Sequence, residues 1–390
     1  MPESIWRAPV LRQNEESERR VTWIELFFDL VFVALVAALS GNLARQVNAA
    51  AVAQSALLFT AMWVIWRFAA IYADRFETDD FSFRLVILGI MAAVAVMAVS
   101  AGEGLDNGFR GFAVGYIAAD AIISVLWQRG ARHNPEFRPL ANRLTLAHAS
   151  SIALWVVAFV LGGPLGWWFA LAGLAIDLAV PFLSTRQQES LPKLSESHLP
   201  ERFGLFTIIV LGEAMIVLIA GLSSLPHRSM VAWIAGATVL VLVTGVYWMY
   251  FDQIMWDKPP EDPLRRNITQ YLHLPLVMAI ALTSAFTREY VEEPLSPFST
   301  SSRLLFAFGV AMALVSIALL DTLLASEPLR ACVLGRSRTA EFVGAGALVV
   351  LGIFGSVLPG LALVIAADVA VLAVIVVGAR ELTTSGSCEL

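Results

Sequence analysis

Twelve long apolar stretches restrict the fold of this sequence more than any other feature. A helix rises about 1.5 Å per residue, so roughly 20 apolar residues cross the hydrocarbon core of a bilayer. An open-ended segment satisfies its backbone hydrogen bonds in that core only as a helix. The sequence therefore predicts an all-α polytopic membrane protein with about 12 transmembrane helices. The predicted spans are residues 23–42, 52–73, 84–101, 109–128, 144–162, 165–183, 204–223, 230–251, 269–286, 303–324, 340–357 and 360–379.

Two pairs of these stretches are separated by very short connections. Gly162, Gly163 and Pro164 follow the fifth stretch, and Pro359 with Gly360 follows the eleventh. Glycine and proline favour tight reversals, so each pair is predicted to form two helices. The alternative is a protein of ten spans, in which one of these pairs is fused or one member is not a span.

The composition excludes several classes of partner. Hydrophobic residues make up 58% of the chain and charged residues 15%, which is far more apolar than a soluble domain. No basic patch is present, so no nucleic-acid partner is expected, and the predicted partner is the lipid bilayer. Cys332 and Cys388 are too few for a disulfide framework or a zinc site.

The distribution of basic residues predicts the orientation. Lysines and arginines accumulate in the cytoplasmic loops of membrane proteins. Of the 26 in this chain, 20 lie in the amino-terminal segment, the even-numbered loops and the tail, whereas five lie in the odd-numbered loops. Both termini are therefore predicted to be cytoplasmic, in a multi-pass protein of the cell membrane.

Similar residues recur at similar places in the two halves, which suggests an internal duplication. The pairs are Asp29 with Glu213, Tyr72 with Tyr250, Asp74 with Asp252, Asp79 with Asp257, and Asp177 with Asp368. The alternative is chance resemblance between apolar helices. Six spans per half would give two parallel repeats, an arrangement found in many transporters. The predicted organisation is a cytoplasmic segment 1–21, a six-helix half 22–185, a linker 186–202, a second half 203–380 and a cytoplasmic tail 381–390.

Several ionisable residues lie within the predicted spans, where a charge is costly unless it is paired or hydrated. They are Glu25, Asp29, Arg67, Asp120, His148, Asp177, Glu213, His273, Asp321 and Asp368. Arg67 is predicted to pair with Asp29 or Glu25. The functional interpretation is a water-accessible cavity in which carboxylates and histidines bind a cation or relay protons. The structural interpretation is that these groups tie helices together or contact headgroups.

The segment before the seventh span contains His198, Glu201 and Arg202. His198 and Glu201, joined by His273, form a weak candidate metal site, but Glu201 and Arg202 are more typical of a helix start at the membrane interface. No metal site and no cofactor are therefore predicted. No catalytic motif is recognisable, so an enzyme is not expected.

The function predicted from these charges is a secondary transporter or ion-coupled permease for a proton, a cation or a small molecule. One alternative is a membrane-embedded enzyme or cofactor-binding protein that uses His148, His198 and His273. Another is a non-transporting protein of membrane organisation or sensing. The candidate substrate- or ion-binding residues are Glu25, Asp29, Arg67, Asp177, His198, Glu201, Arg202, Glu213, His273 and Asp368.

Two stretches carry a resemblance to a known family. They are Thr22-Trp-Ile-Glu-Leu-Phe-Phe-Asp-Leu-Val-Phe-Val33, and the run from His198 to Glu213. Together they resemble the bacterial low temperature requirement protein A (LtrA) family. The sequence departs from the family at Asp74, where asparagine is frequent, and at Ala214, where serine is frequent. The resemblance implies a bacterial cytoplasmic-membrane protein that is associated by name with growth in the cold, and it supplies no biochemical activity.

Overall fold

The fold was analysed in a computed structural model, which describes residues 8–11, 21–77, 80–104, 106–254, 259–324 and 335–384. In these residues, twelve helices are long and apolar enough to cross a membrane, which confirms the predicted fold class and helix count. They are α1 (Trp23–Arg45), α2 (Ala49–Arg75), α3 (Phe81–Gly102), α4 (Phe109–His133), α5 (Arg138–Leu161), α6 (Gly163–Leu183), α7 (His198–Ser224), α8 (Met230–Gln253), α9 (Pro263–Ser284), α10 (Thr300–Leu324), α11 (Gly335–Phe354) and α12 (Gly360–Thr384).

Short elements complete the fold. A 3-10 turn, Pro135–Phe137, precedes α5, and the short helices Thr185–Glu189 and Thr287–Glu292 follow α6 and α9. The strands β1 (Val10–Leu11) and β2 (Phe76–Glu77) pair in antiparallel fashion.

The ten-span alternative is not supported, because each closely spaced pair consists of two separate helices. Between α5 and α6, Gly162 and Gly163 have φ angles of 59° and 54°, in the left-handed region that glycine tolerates best. Other boundaries were predicted too short: α5 begins at Arg138 and α9 at Pro263. The prediction followed the apolar core of each helix, whereas the backbone hydrogen bonding continues through polar residues at the helix ends.

The chain divides into two compact units. The first unit contains residues 1–42, 53–206 and 261–267. In it, α3, α4, α5 and α6 pack in succession. Asp80 caps α3 by accepting the Phe83 N–H at 2.9 Å, and it also pairs with Arg129 of α4 at 2.9 Å. This one carboxylate therefore fixes the start of α3 to the end of α4.

The amino-terminal strand is also attached within the first unit. Asn134, which follows α4, accepts the Leu11 N–H at 3.3 Å and donates to the Pro9 carbonyl at 2.9 Å. The strand β1 is thus attached to the end of α2 by sheet pairing and to the end of α4 by a side chain.

The second unit contains residues 43–52, 207–260 and 268–390. In it, α11 packs between α10 and α12, and α12 also packs against α8. The turn between α11 and α12 is held by the Gly360 N–H, which donates to the Ser296 carbonyl at 2.9 Å. The packing therefore brings together helices that are distant in the sequence as well as neighbours.

The first turn of α1 contains an exposed tryptophan and a buried acid. Trp23 is 87% exposed, whereas Glu25, two residues later, is 3% exposed. Tryptophan favours the membrane–water interface, so this end of α1 fits that depth.

The proposed duplication and the predicted domain boundaries remain predictions. Asp79 and Asp257, which belong to the proposed repeat, lie outside the described residues. Cys332 and Cys388 also lie outside them, as do residues 1–7, 12–20 and 385–390 of the predicted terminal segments.

Candidate functional site

Five ionisable side chains form a buried network in the first unit, called here the His198 network: Glu25, Asp29, Asp74, His198 and Arg202. His198 Nδ1 lies 3.0 Å from Asp74 Oδ1, and its Nε2 lies 3.3 Å from Glu25 Oε2. Arg202 Nη2 donates to Asp29 Oδ1 at 2.6 Å, and Nη1 lies 3.7 Å from Glu25 Oε1. All five residues are at most 3% exposed. Two candidate residues of α1 and two of α7 are therefore brought together.

The start of α7 positions His198. The Ser195 hydroxyl oxygen accepts the His198 backbone N–H at 3.0 Å, as an N-terminal cap does, while the Ser195 N–H donates to Asp74 Oδ2 at 2.9 Å. The end of α2, the start of α7 and the preceding loop are thus joined through Asp74. Because each imidazole nitrogen faces a carboxylate, a protonated His198 donates to both acids.

A tryptophan completes the surroundings of Asp29. The Trp66 indole N–H donates to Asp29 Oδ1 at 2.7 Å, and the ring packs against Phe203 and Phe206 of α7 with centroid distances of 5.1 and 4.4 Å. Asp29 thus has an arginine and an indole as donors on one oxygen. Its other oxygen, Oδ2, has no hydrogen-bond partner among the described residues. The contact with Arg202 gives Asp29 a buried counter-charge, as in a structural ion pair.

The pairing of Arg67 with Asp29 or Glu25 stays a prediction, and Arg202 is an arginine that contacts both acids. Arg67 donates to the Asn267 side-chain oxygen at 3.3 Å, and its guanidinium lies 5.7 Å from the centre of the Phe68 ring. Arg202 lies near the start of α7 and is 1% exposed.

A second cluster, called here the Asp–His–Asp cluster, consists of Asp120 of α4, His148 of α5 and Asp177 of α6. All three are fully buried. His148 Nδ1 lies 2.6 Å from Asp120 Oδ1 and 3.1 Å from Asp177 Oδ1. The hydroxyls of Tyr116 and Ser151 donate to Asp177 Oδ2 at 2.7 and 2.5 Å. Three successive helices therefore converge on one polar point.

In the second unit, Glu213 is buried within α7 with little support. Its Oε2 accepts from the Ser284 hydroxyl at 3.3 Å, and its Oε1 has no hydrogen-bond partner among the described residues. The residue is fully buried. No lysine, arginine or histidine pairs with it in the part of the chain that the structure describes, in contrast to Asp29.

A small cavity of about 40 Å³ lies near this carboxylate, and Ser284 is part of its lining. The cavity is lined by residues of four long helices, including Leu211 of α7, Val243 of α8, Thr283 of α9 and Val310 of α10. The lining is mostly apolar, with a few hydroxyls.

The remaining candidates lie elsewhere. His273 donates from Nδ1 to the Thr269 carbonyl of its own helix at 2.9 Å. Its Nε2 lies 3.1 Å from the Tyr250 hydroxyl, and this contact ties α9 to α8. Glu201 is half-buried. Asp368 of α12 is 6% exposed, and its Oδ1 lacks a hydrogen-bond partner among the residues described.

Some residues of these clusters were missing from the candidate set. Asp74 was interpreted as a helix-end residue, Asp120 was recognised only as a charge within a span, and His148 was named as a functional residue only for the alternative of an enzyme or cofactor-binding protein. Trp66, Tyr116 and Ser151 carry no signal that separates them from other aromatic or hydroxyl residues. The position of Asp74 just after a long apolar stretch gave no indication of its 1% exposure.

The helices and their buried charges define a multi-pass helical membrane protein with polar clusters inside its bundles. The chain belongs to the bacterial low temperature requirement A protein (LtrA) family, whose family model matches residues 20–377. A relative is an uncharacterized protein of Rhizobium meliloti (strain 1021), 28% identical over 302 residues, with 70% of each chain covered. The resemblance noted from the sequence is thus confirmed over nearly the whole chain.

Proposed function

We propose that this protein is a secondary transporter or ion-coupled permease in which Glu213 binds the coupling proton or cation. The observation that carries the proposal is a buried carboxylate without a counter-charge among the described residues, next to a cavity. The predicted cytoplasmic termini and location in the cell membrane belong to the same proposal. The distribution of basic residues supports them.

The first step of the argument is electrostatic. An ionised carboxylate in a membrane interior is costly unless a positive charge or water accompanies it. Glu213 has one hydroxyl donor, Ser284, at 3.3 Å, which is a weak hydrogen bond. A bound proton or cation therefore supplies a positive charge, which the described protein groups around Glu213 do not. Exchange of that ion is the elementary event of ion-coupled transport.

The second step connects the ion to a substrate. Ser284 donates to Glu213 and also lines the cavity, so it connects the ion-binding group to that cavity. Occupancy of the cavity then changes the environment of Ser284, and through it that of Glu213. This arrangement suits coupling of a small, largely apolar substrate to a proton or cation.

The His198 network has a different role in this proposal. Its acids already contact an arginine and a histidine, so they stabilise the first unit and are less suited to exchanging an ion. Duplication of an ancestral six-helix half, supported by the sequence pairs, would explain why Glu213 and Asp29 occupy corresponding places and yet have diverged in partners.

Ion flux in proteoliposomes tests the proposal. Purified protein is reconstituted with an internal pH indicator, and proton movement is followed under imposed Na⁺, K⁺ and substrate gradients. We expect flux from the parent chain and its loss in Glu213→Gln, which keeps size but cannot carry the charge. Glu292→Gln is the matched control, because Glu292 is an exposed acid of the same unit whose side chain is 44% exposed.

Flux that persists in Glu213→Gln would remove Glu213 from the coupling role. Silence of all three proteins across the gradients and a broad substrate panel, with normal folding in detergent, would remove the transport proposal.

A second candidate function is a membrane-embedded enzyme or cofactor-binding protein. The convergence of His148 with Asp120 and Asp177 favours it, because a histidine and two carboxylates within ligand distance suit a bound metal. Product formation by the purified protein, without flux, would favour this candidate over the transporter.

A further inference from the structure

We propose that Asp120, His148 and Asp177 form a binding site for a divalent first-row transition-metal ion. The site lies on α4, α5 and α6 of the first unit. It does not include the Glu213 cavity, and the proposal holds whether or not the chain transports. It departs from the expectation of no metal that the sequence alone supports.

The ligand atoms have the spacing of a metal site. One donor atom from each residue lies within 4.8 Å of the others. His148 Nδ1 is 2.6 Å from Asp120 Oδ1 and 3.1 Å from Asp177 Oδ1. Ligands about 2.0–2.2 Å from a metal lie roughly 2.8–3.6 Å from one another, so small adjustments accommodate an ion.

The hydrogen bonding of the cluster is incomplete without an ion. Neither oxygen of Asp120 and neither ring nitrogen of His148 has a partner with hydrogen-bond geometry within the described residues, and the same holds for Asp177 Oδ1. The short distances at Nδ1 are therefore contacts without aligned hydrogen bonds. Fully buried polar atoms are normally satisfied, so a shared partner at the point where they converge explains this arrangement.

Charge gives a second, independent argument. Two ionised aspartates and a neutral imidazole carry two negative charges, and no lysine or arginine pairs with either aspartate among the residues that the structure describes. Burial of such a group in a membrane bundle is costly. A divalent cation neutralises it, whereas a protonated His148 neutralises only half of it.

The surroundings hold one ligand in place. Tyr116 and Ser151 both donate to Asp177 Oδ2, which leaves Oδ1 directed towards His148. Trp155 in turn stacks on Tyr116 with a centroid distance of 4.3 Å. Hydrogen bonds to a ligating carboxylate are the usual outer support of metal sites, so Tyr116 and Ser151 are positioning residues.

The donor set indicates the class of metal. One imidazole nitrogen with two carboxylate oxygens, and no thiolate, suits Mn²⁺, Fe²⁺, Co²⁺ or Zn²⁺ better than a soft ion such as Cu⁺. Three protein ligands leave coordination positions open, as in metal sites that bind a further ligand.

Metal analysis of the full-length protein tests the site. The protein is purified in detergent, stripped with a chelator, incubated with Zn²⁺, Mn²⁺ or Co²⁺ and analysed by mass spectrometry after removal of free metal. We expect about one ion per chain for at least one metal, and near-complete loss in His148→Ala and Asp120→Asn. His133→Gln, an exposed histidine of α4, and Asp368→Asn, a buried acid outside the cluster, are expected to retain the ion.

Two further measurements do not depend on the folding of the His148 or Asp120 variants. The visible spectrum of Co²⁺ bound to the unmodified protein reports nitrogen and oxygen ligation directly. Tyr116→Phe and Ser151→Ala leave all three ligands present, and each is expected to weaken the ion's affinity about 10-fold, which a purely structural role would not produce.

Absence of Zn²⁺, Mn²⁺ and Co²⁺ from the folded parent protein overturns the proposal and leaves the cluster as a proton-sharing structural group. Metal that remains in folded His148→Ala also overturns it, because the ion then binds elsewhere. Since the readout is metal content, these failures are distinguishable from a failure of the transport proposal.

Discussion

Asp29 of the first unit and Glu213 of the second unit are buried acids with different partners. In the first unit, Asp29 contacts Arg202 and Trp66, and Glu25 contacts His198 and Arg202. In the second unit, Glu213 has the Ser284 hydroxyl alone among the described residues, although Arg338 does pair with Asp321 near the helix ends. A buried acid with a fixed counter-charge resists a change of charge, whereas an acid without one depends on a proton or a cation. Asp29 is therefore expected to keep its charge, whereas Glu213 is expected to exchange a proton or a cation.

The largest expected effect is that of Arg202→Met. Removal of the guanidinium leaves Asp29 without its ionic partner and Glu25 with one fewer, so the free energy of unfolding should fall by about 3–5 kcal/mol. Unfolding in mixed micelles with increasing SDS measures it. Arg288→Met removes an arginine whose side chain is 67% exposed and should cost less than about 1 kcal/mol. Equal losses in the two variants would show that Arg202 is not a central ion-pair partner.

Paired amide substitutions test the comparison directly. Asp29→Asn weakens two hydrogen bonds and removes a charge next to Arg202, so it should cost about 2–3 kcal/mol. Glu213→Gln keeps the size of the side chain and an acceptor for Ser284, so stability should change by less than about 1 kcal/mol. The same SDS titration compares them. A larger loss for Glu213→Gln than for Asp29→Asn would reverse the proposed distinction between the units.

Trp66→Phe tests the hydrogen bond from the indole N–H to Asp29. The substitution removes the indole N–H that donates to the carboxylate. Trp155→Phe is a matched control, since Trp155 is fully buried in the same unit and its Nε1 has no hydrogen-bond partner among the described residues. We expect Trp66→Phe to cost about 1.5 kcal/mol more than Trp155→Phe. Comparable losses would mean that packing, and not the hydrogen bond, explains the position of Trp66.

The smallest expected effect is that of Asp368→Asn. Asp368 lies in the second unit, and its Oδ1 lacks a partner among the residues that the structure describes, so an amide should cost no more than the low end of one hydrogen bond, about 0.5 kcal/mol. Asp177→Asn, at the corresponding place in the proposed repeat, disturbs two hydroxyl donors and should cost more. A larger loss at Asp368 in the SDS titration would indicate a partner of equal strength in the second unit.

Much of the fold follows from the sequence, because hydrocarbon requires long apolar helices and basic residues mark the loops between them. Even the closely spaced α5 and α6 were separable, since Gly162 and Gly163 indicate a reversal. The ends of α5 and α9 were less predictable, because apolarity measures the membrane-buried part of a helix and not its hydrogen-bonded length.

The sites were only partly predictable. Depth in a span identified Asp29 and Glu213 as buried acids, since periodicity and position decide which residues enter the membrane. The partners depend on which helices are adjacent in space, and one sequence does not contain that information. Arg67 was predicted as a partner of Asp29, whereas the contact of Asp29 with Arg202 depends on the position of α7 beside α1 and was not predicted.

The attachment of β1 has a consequence for the order of synthesis. Leu11 bonds to a side chain 123 positions further along, so this part of the chain gains that partner only after the fourth helix has left the ribosome. Insertion of the earlier helices must therefore proceed without it. The strand can therefore stabilise the ends of α2 and α4 after these helices have inserted, but it cannot direct their insertion into the bilayer.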